Sequence, residues 1–226
     1  VPGLHYVIGA DIAEAVSDGD FSCAQVLRHD TLEQVAVWHG KTPPLVFADE
    51  LENLGYWYNT AHITPEFAGI GSVTCMALYD SLLYPNLYVR ERLNVLGGKT
   101  SPLRPGFVTS GTTKKHILDN LAMLLYDDEI TIWDPATIRE LQDFEFNYGR
   151  SGIAAYAARE GRHDDLVMAL ALAVEGARQY VVPRDVKDEQ AFARQMQETG
   201  VLKTISIPQS EDDDPDGEAM LKWCHR

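Results

Sequence analysis

Nine consecutive residues, Leu166 to Val174 (LVMALALAV), carry no polar side chain, and they follow Asp164 and Asp165 directly. A helix built on this run is apolar nearly all round, so it has no face to give to water and must be enclosed by other elements. The run is far too short to cross a bilayer, and no stretch of eighteen or more apolar residues occurs elsewhere. The chain is therefore expected to bury a central helix whose mouth carries two carboxylates. Helical neighbours point about 100° apart, so one aspartate can cap the helix but not both. At least one carboxylate is left to explain.

The first forty residues predict the sheet. YVIGADIAEAV, FSCAQVLRHD and TLEQVAVWHG are apolar or alternating, are separated by SDGD and a polar RHD turn, and read as three successive antiparallel strands. TPPLVFADELENLGYWYN then spaces Leu45, Ala48, Leu51, Leu54 and Tyr58 near helical period behind prolines that suit a helix start. AHITPEF predicts a short strand that breaks at Pro65, and Ser72 is placed to cap a second helix. NLYVRERLNVLGGKTSPLRPG reads as a strand or ribbon pair. TTKKHILDNLAMLLYD reads as an amphipathic helix with Ile117, Leu118, Leu121, Leu124 and Leu125 on one side. ITIWD reads as a strand, PATIRELQDFEFN as a helix opened by Pro135 that leads into extended chain, and SGIAAYAAREGR as a further extended piece or a small-residue connector. Trp38, Trp57 and Trp133 fall in core-like patterns. Residues 1–180 are read as one domain and 181–226 as a C-terminal appendage, whose QSEDDDPDGE stretch has the composition of a partly disordered acidic tail.

The formal charge of −15 argues against strong nonspecific attraction to nucleic acid or anionic membrane. It suits a chain that gathers carboxylates around divalent metal. Three cysteines without CxxC spacing argue against a disulfide framework or a zinc knuckle. The chain opens on Val1 with no basic-then-apolar leader, the pattern expected of an excised domain or processed product.

Three acidic positions stand out. Asp11 lies inside the first β-run, where strands disfavour aspartate and an unpaired buried carboxylate is costly. Glu66 follows a short strand, and Asp164 with Asp165 opens the buried helix. Carboxylates gathered from two strands and a helix N-terminus repel one another unless a cation sits between them. Hard, oxygen-preferring Mg²⁺ or Mn²⁺ fits, and two ions about 3.5–4 Å apart would support both attacking and leaving oxygens in phosphodiester cleavage. The element order, with acids on strand one, strand four and a late helix, is that of the ribonuclease H-like α/β fold. That fold has a central mixed sheet, with three antiparallel strands followed by alternating helices and strands, flanked by helices.

GADIAEAVSDGDFSCAQVL, ITPEFAGIGSV and GRHDDLVMALALA resemble the three acidic nuclease motifs of the large terminase subunits of tailed bacteriophages, and TKKHILDNLAMLLYDDEITI with IRELQDFEFN resembles the linking segment. The resemblance runs over about residues 5–178. It implies Asp11, Glu66 and Asp164 as catalytic metal ligands, with Asp165 an additional or alternative ligand and Asp164 the first choice. Asp20 matches a family position but reads better as turn chemistry. His163, beside the expected site, is a candidate to position water, bind metal, hold an aspartate or cap the helix. LNVLGGKT has Leu93 where a phosphate-binding loop needs glycine, so no ATPase motif is expected. The resemblance further implies a nuclease cutting concatemeric double-stranded DNA during packaging in the host cytoplasm. Its expected partners are the ATPase domain of the same full-length protein, the small terminase subunit and the capsid portal. Lys99, Arg104, Lys114 and Lys115, with Arg90 and Arg92 just before them, form the best DNA-backbone surface in an acidic chain. A Holliday-junction resolvase or transposase-like nuclease, and a noncatalytic portal-docking module, are the alternatives.

Overall fold

A computed structural model describes residues 3–14, 21–90, 104–148, 154–158, 163–182 and 219–223. Three antiparallel strands come first, as the patterning predicts: β1 (Tyr6–Asp11), β2 (Ser22–Arg28) and β3 (Gln34–Gly40). Helix α1 (Pro44–Trp57) starts behind Pro43, and β4 (His62–Pro65) returns parallel to β1. Helix α2 (Gly71–Met76) runs on into a π-helical turn, Ala77–Ser81, and β5 (Val89–Arg90) pairs with β6 (Arg104–Pro105). After α3 (Gly111–Tyr126) and α4 (Pro135–Asp143), β7 (Phe144–Tyr148) and β8 (Ala154–Ala158) form a second antiparallel ribbon. Helix α5 (Asp165–Gln179) follows, and β9 (Ala219–Trp223), from the segment read as an appendage, hydrogen-bonds to β3. The main sheet has the order β4-β1-β2-β3-β9.

Period-two alternation sorts β1 onto two covered faces. Tyr6, Ile8 and Ala10 join Phe47, Leu51 and Leu54 of α1 in one core, while Val7 joins Ile117, Leu121, Leu170 and Leu172 in the other. Helix α5 therefore lies where its composition demands, between the sheet and α3. Leu166, Leu170 and Leu172 are fully buried, each contributing roughly 1.5–3 kcal/mol. Contact with β1 is backbone on backbone, because a Cβ at Gly9 would overlap the main chain of Ala169 and Ala173.

Several local expectations are corrected. Ser72 is not a cap: Ile70 holds that position, and the Ser72 hydroxyl donates to the Gly69 carbonyl. Leu45 is exposed and Phe47 is buried in its stead, because the buried face of α1 runs through Phe47, Ala48, Leu51 and Leu54. Trp57 and Trp133 are substantially exposed, and only Trp38 of the three is core. ITIWD makes a single bridge, Thr131 to Glu33, instead of a strand. There the Gln34 side-chain oxygen accepts from the backbone N–H groups of Trp133 and Asp134, both at 2.7 Å, and turns the chain into α4.

Candidate active site

Parallel pairing of β1 with β4 puts their carboxyl ends at the same edge of the sheet, so Asp11 and Glu66 arrive side by side. The Glu66 N–H donates to the Ala10 carbonyl at 2.9 Å. Helix α5 runs back along the strands, with Gly176 against β4 and Ala169 against Gly9, so its N-terminus reaches that same edge. Asp11, Glu66, Asp164 and Asp165 consequently line one open cavity of about 700 Å³, together with Lys114 from α3 and Thr109 from the approach to it. Thr109 is placed by Gly106, which turns the chain at φ +82° before the Phe107 N–H donates to the Pro65 carbonyl.

The cavity's electrostatics follow from this crowding. The Asp11 carboxyl is held well above the usual carboxylate range, first by burial, then by a hydrogen bond with Glu66 and the charges of Glu66, Asp165 and Asp164. The Thr109 hydroxyl donates to Glu66 Oε1. The ammonium of Lys114 donates to Asp164 Oδ2 at 3.1 Å, with the Asp164 side chain 29% exposed. Asp165 is more enclosed, at 8%, and its Oδ2 accepts from the Phe21 N–H at 3.0 Å. His163 Nδ1 lies 3.8 Å from that same oxygen, and its ring meets Phe21 edge-on.

Among the described residues, no three His, Cys, Asp or Glu side chains form a ready metal-binding group. The donor chemistry nevertheless fits a hard divalent cation, since four carboxyl groups share one cavity and the charges of the other three add to burial in raising Asp11. Cys23 and Cys75 are buried thiols, and burial pushes that of Cys75 up to about 12.

The cap expected from one of the two aspartates comes from elsewhere. Asp164 occupies the N-cap position of α5 but makes no side-chain capping bond. Glu140, on α4, accepts instead from the N–H groups of Leu166 at 2.9 Å and Val167 at 3.4 Å. Burial pushes the Glu140 carboxyl up to about 7, against the opposing pull of those two N–H groups. A buried network holds α4 in place. Asp134 accepts from the Thr137 N–H at 2.8 Å, and the Gln25 amide donates to Thr137 Oγ1 at 2.9 Å and to the Leu166 carbonyl at 3.3 Å.

The described residues expected to meet DNA fall in two pairs, Lys114 with Lys115 on α3 and Arg90 opposite Arg104 on the β5–β6 ribbon. Lys114 faces the cavity, Lys115 pairs with Asp119 at 2.6 Å one turn along α3, and Arg104 is exposed on β6. Arg90 lies over the Phe67 ring, 5.4 Å from its centre. Lys99, Arg92 and Asp20 fall outside the described residues, as does the glycine-rich loop at 97–98. Sequence reasoning missed Glu140 and Thr109. Thr109 precedes Ser110, which caps α3 in a reciprocal box with Thr113 and so offered a local signal. Glu140 offered none, because its partners lie 26 and 27 residues away.

No family model matches the chain. It is 28% identical over 180 residues to the protein named terminase, large subunit, of Thermus phage G20c, covering 76% of this chain and 32% of that one. The chain thus spans about a third of the length of the curated relatives it matches. Among solved structures it resembles the large terminase nuclease of phage G20c with bound cobalt (TM-score 0.63) and with bound magnesium (0.60). Each is 24% identical and covers 80% of this chain and 84% of that one. It also resembles the large terminase nuclease domain of Thermus phage P74-26 (TM-score 0.54, 26% identical, 76% and 80% covered). The fold is that of these nuclease domains, of the ribonuclease H-like class.

Proposed function

We propose, from this likeness in sequence and fold to large terminase subunits, that the chain is a nuclease domain cutting concatemeric double-stranded DNA during phage genome packaging. The observation that carries the proposal is the gathering of Asp11, Glu66, Asp164 and Asp165 on one cavity at the carboxyl ends of two parallel strands. Asp11, Glu66 and Asp164 would hold Mg²⁺ or Mn²⁺, two ions in this reading, with Asp165 an additional or alternative ligand. Bound there, the metal would lower the pKa of an attacking water and support the leaving 3′ oxygen.

The chain's own groups prepare that chemistry. Thr109 orients Glu66 by its hydroxyl, and Phe21 fixes Asp165 by its N–H. The greater exposure of the Asp164 side chain favours it over Asp165 as the ligand open to an entering metal ion. Lys114 supplies positive charge at the mouth of the cavity, while Arg104 and Lys115 would meet the DNA backbone, and Lys99 is proposed for the same role from the sequence alone. The ATPase domain of the same full-length protein, the small terminase subunit and the capsid portal are the proposed partners, with the host cytoplasm as the place of action. In the test, Asp11→Ala and Asp164→Ala reduce Mn²⁺-dependent plasmid cleavage to background with an unchanged far-ultraviolet circular dichroism spectrum. Glu66→Ala is expected to do the same. Cleavage retained by Asp11→Ala or Asp164→Ala refutes the site.

A further inference from the structure

We infer that Glu140 is a positioning residue for this site: by capping α5 from a neighbouring helix, it leaves the Asp164 carboxylate free to face the cavity. The inference rests on the metal-site reading above. An N-cap side chain ordinarily accepts from the second and third N–H groups of its helix. In α5 these belong to Leu166 and Val167, and Glu140 Oε2 accepts from both. Asp164, at the N-cap position, is left to reach Lys114 across the cavity mouth. Asp165 is not a substitute cap, because its Oδ2 already accepts from Phe21. Glu140 can serve from outside the helix because α4 is tied to the sheet by Gln25 and Thr137, and Gln25 also holds the Leu166 carbonyl.

Without Glu140, the two N–H groups lose their acceptor, and the nearest side chain able to replace it is Asp164. The swing that satisfies the helix takes the carboxylate out of the cavity. Gln at position 140 keeps an acceptor oxygen and leaves Asp164 where it is.

Isothermal titration of the whole chain with Mn²⁺ tests this, beside amide hydrogen exchange on the metal-free protein. Glu140→Ala is expected to weaken Mn²⁺ binding about tenfold or more, the scale of losing a group that orients a ligand. It is also expected to speed exchange at Leu166 and Val167, while Glu140→Gln stays near the wild-type protein in both. A Glu140→Ala protein that melts earlier yet binds Mn²⁺ as tightly as wild type overturns the inference, since Glu140 would then only stabilise the helix. Unchanged exchange at both amides overturns it as well. Asp164→Ala in the same titration separates the two ideas. If it binds Mn²⁺ normally, the metal-site reading fails and takes this inference with it; if it does not, a normal Glu140→Ala titration counts against Glu140 alone.

Discussion

Alanine at position 9 would test the backbone-on-backbone seat of α5 and the placement of the acids with one methyl group. Its Cβ would stand 2.7 Å from the Leu172 carbonyl carbon and closer still to the Ala169 carbonyl oxygen and the Ala173 nitrogen, where ordinary contact begins at 3.4 Å, so α5 must withdraw by more than about 0.7 Å. The atoms in the way are main chain, and no flexible side chain can yield for them. Overpacking of this kind costs about 1–3 kcal/mol, and here the upper half of that range applies because a whole helix must move. For a domain of this size, about 2–3 kcal/mol lowers the melting temperature by roughly 4–12 °C. Asp164 and Asp165 ride on the displaced helix while Asp11 stays on β1. A misplacement approaching 1 Å can cost about 100-fold in rate, so plasmid cleavage at 25 °C should fall much further than the folded fraction. Gly111→Ala is the control: a Cβ there meets nothing within 4 Å at the start of α3, so melting should hold or rise. A Gly9→Ala protein that melts within 2 °C of wild type, a limit set at roughly 1 kcal/mol, and cleaves normally would refute the claim that this contact sets the position of α5.

Asp11→Asn should raise the melting temperature of the metal-free protein at neutral pH while abolishing cleavage. The folded-state pKa of Asp11 is raised, so ionising it costs stability as pH climbs past the unfolded value of 3.8. Thermal melts in chelator across pH 4–8 check this, and a lower melting point for Asp11→Asn at neutral pH contradicts it. Glu140, raised to about 7, adds to the same downward slope between its ordinary 4.5 and 7. Leu170→Ala, in the fully buried heart of α5, should cost about 3–5 kcal/mol. Trp57→Ala, at a 55% exposed position, should cost clearly less than Leu170→Ala in denaturant titration.

Much of this architecture was legible because it follows from local pattern. Alternation in β1 sends Val7, Gly9 and Asp11 to the α5 face, and an aspartate in that row is costly enough to announce itself. The apolar run of α5 forces enclosure, and enclosure at the strand ends brings Asp164 toward Asp11. What was not legible depends on long-range partners. Nothing local says that Gln34 ends the extended reading at Thr131 by taking two N–H groups of the next turn, or that Glu140 caps a helix other than its own. Trp57 reads as core by composition, but at the end of α1 it lies off the buried face.

The lodging of α5 against β1 has an electrostatic side. Asp11, Glu66 and Asp164 come from lengths of chain far apart in sequence, and their meeting waits on apolar packing that closes the whole topology. That packing works against the acids' desolvation and mutual repulsion, and part of its free energy is held as acid compressed into the cavity, where burial first and neighbouring charge after it raise the Asp11 carboxyl. A cation entering there would release this compression. Divalent metal should therefore act on the chain as a folding ligand, raising its stability with concentration whether or not DNA is present to be cut.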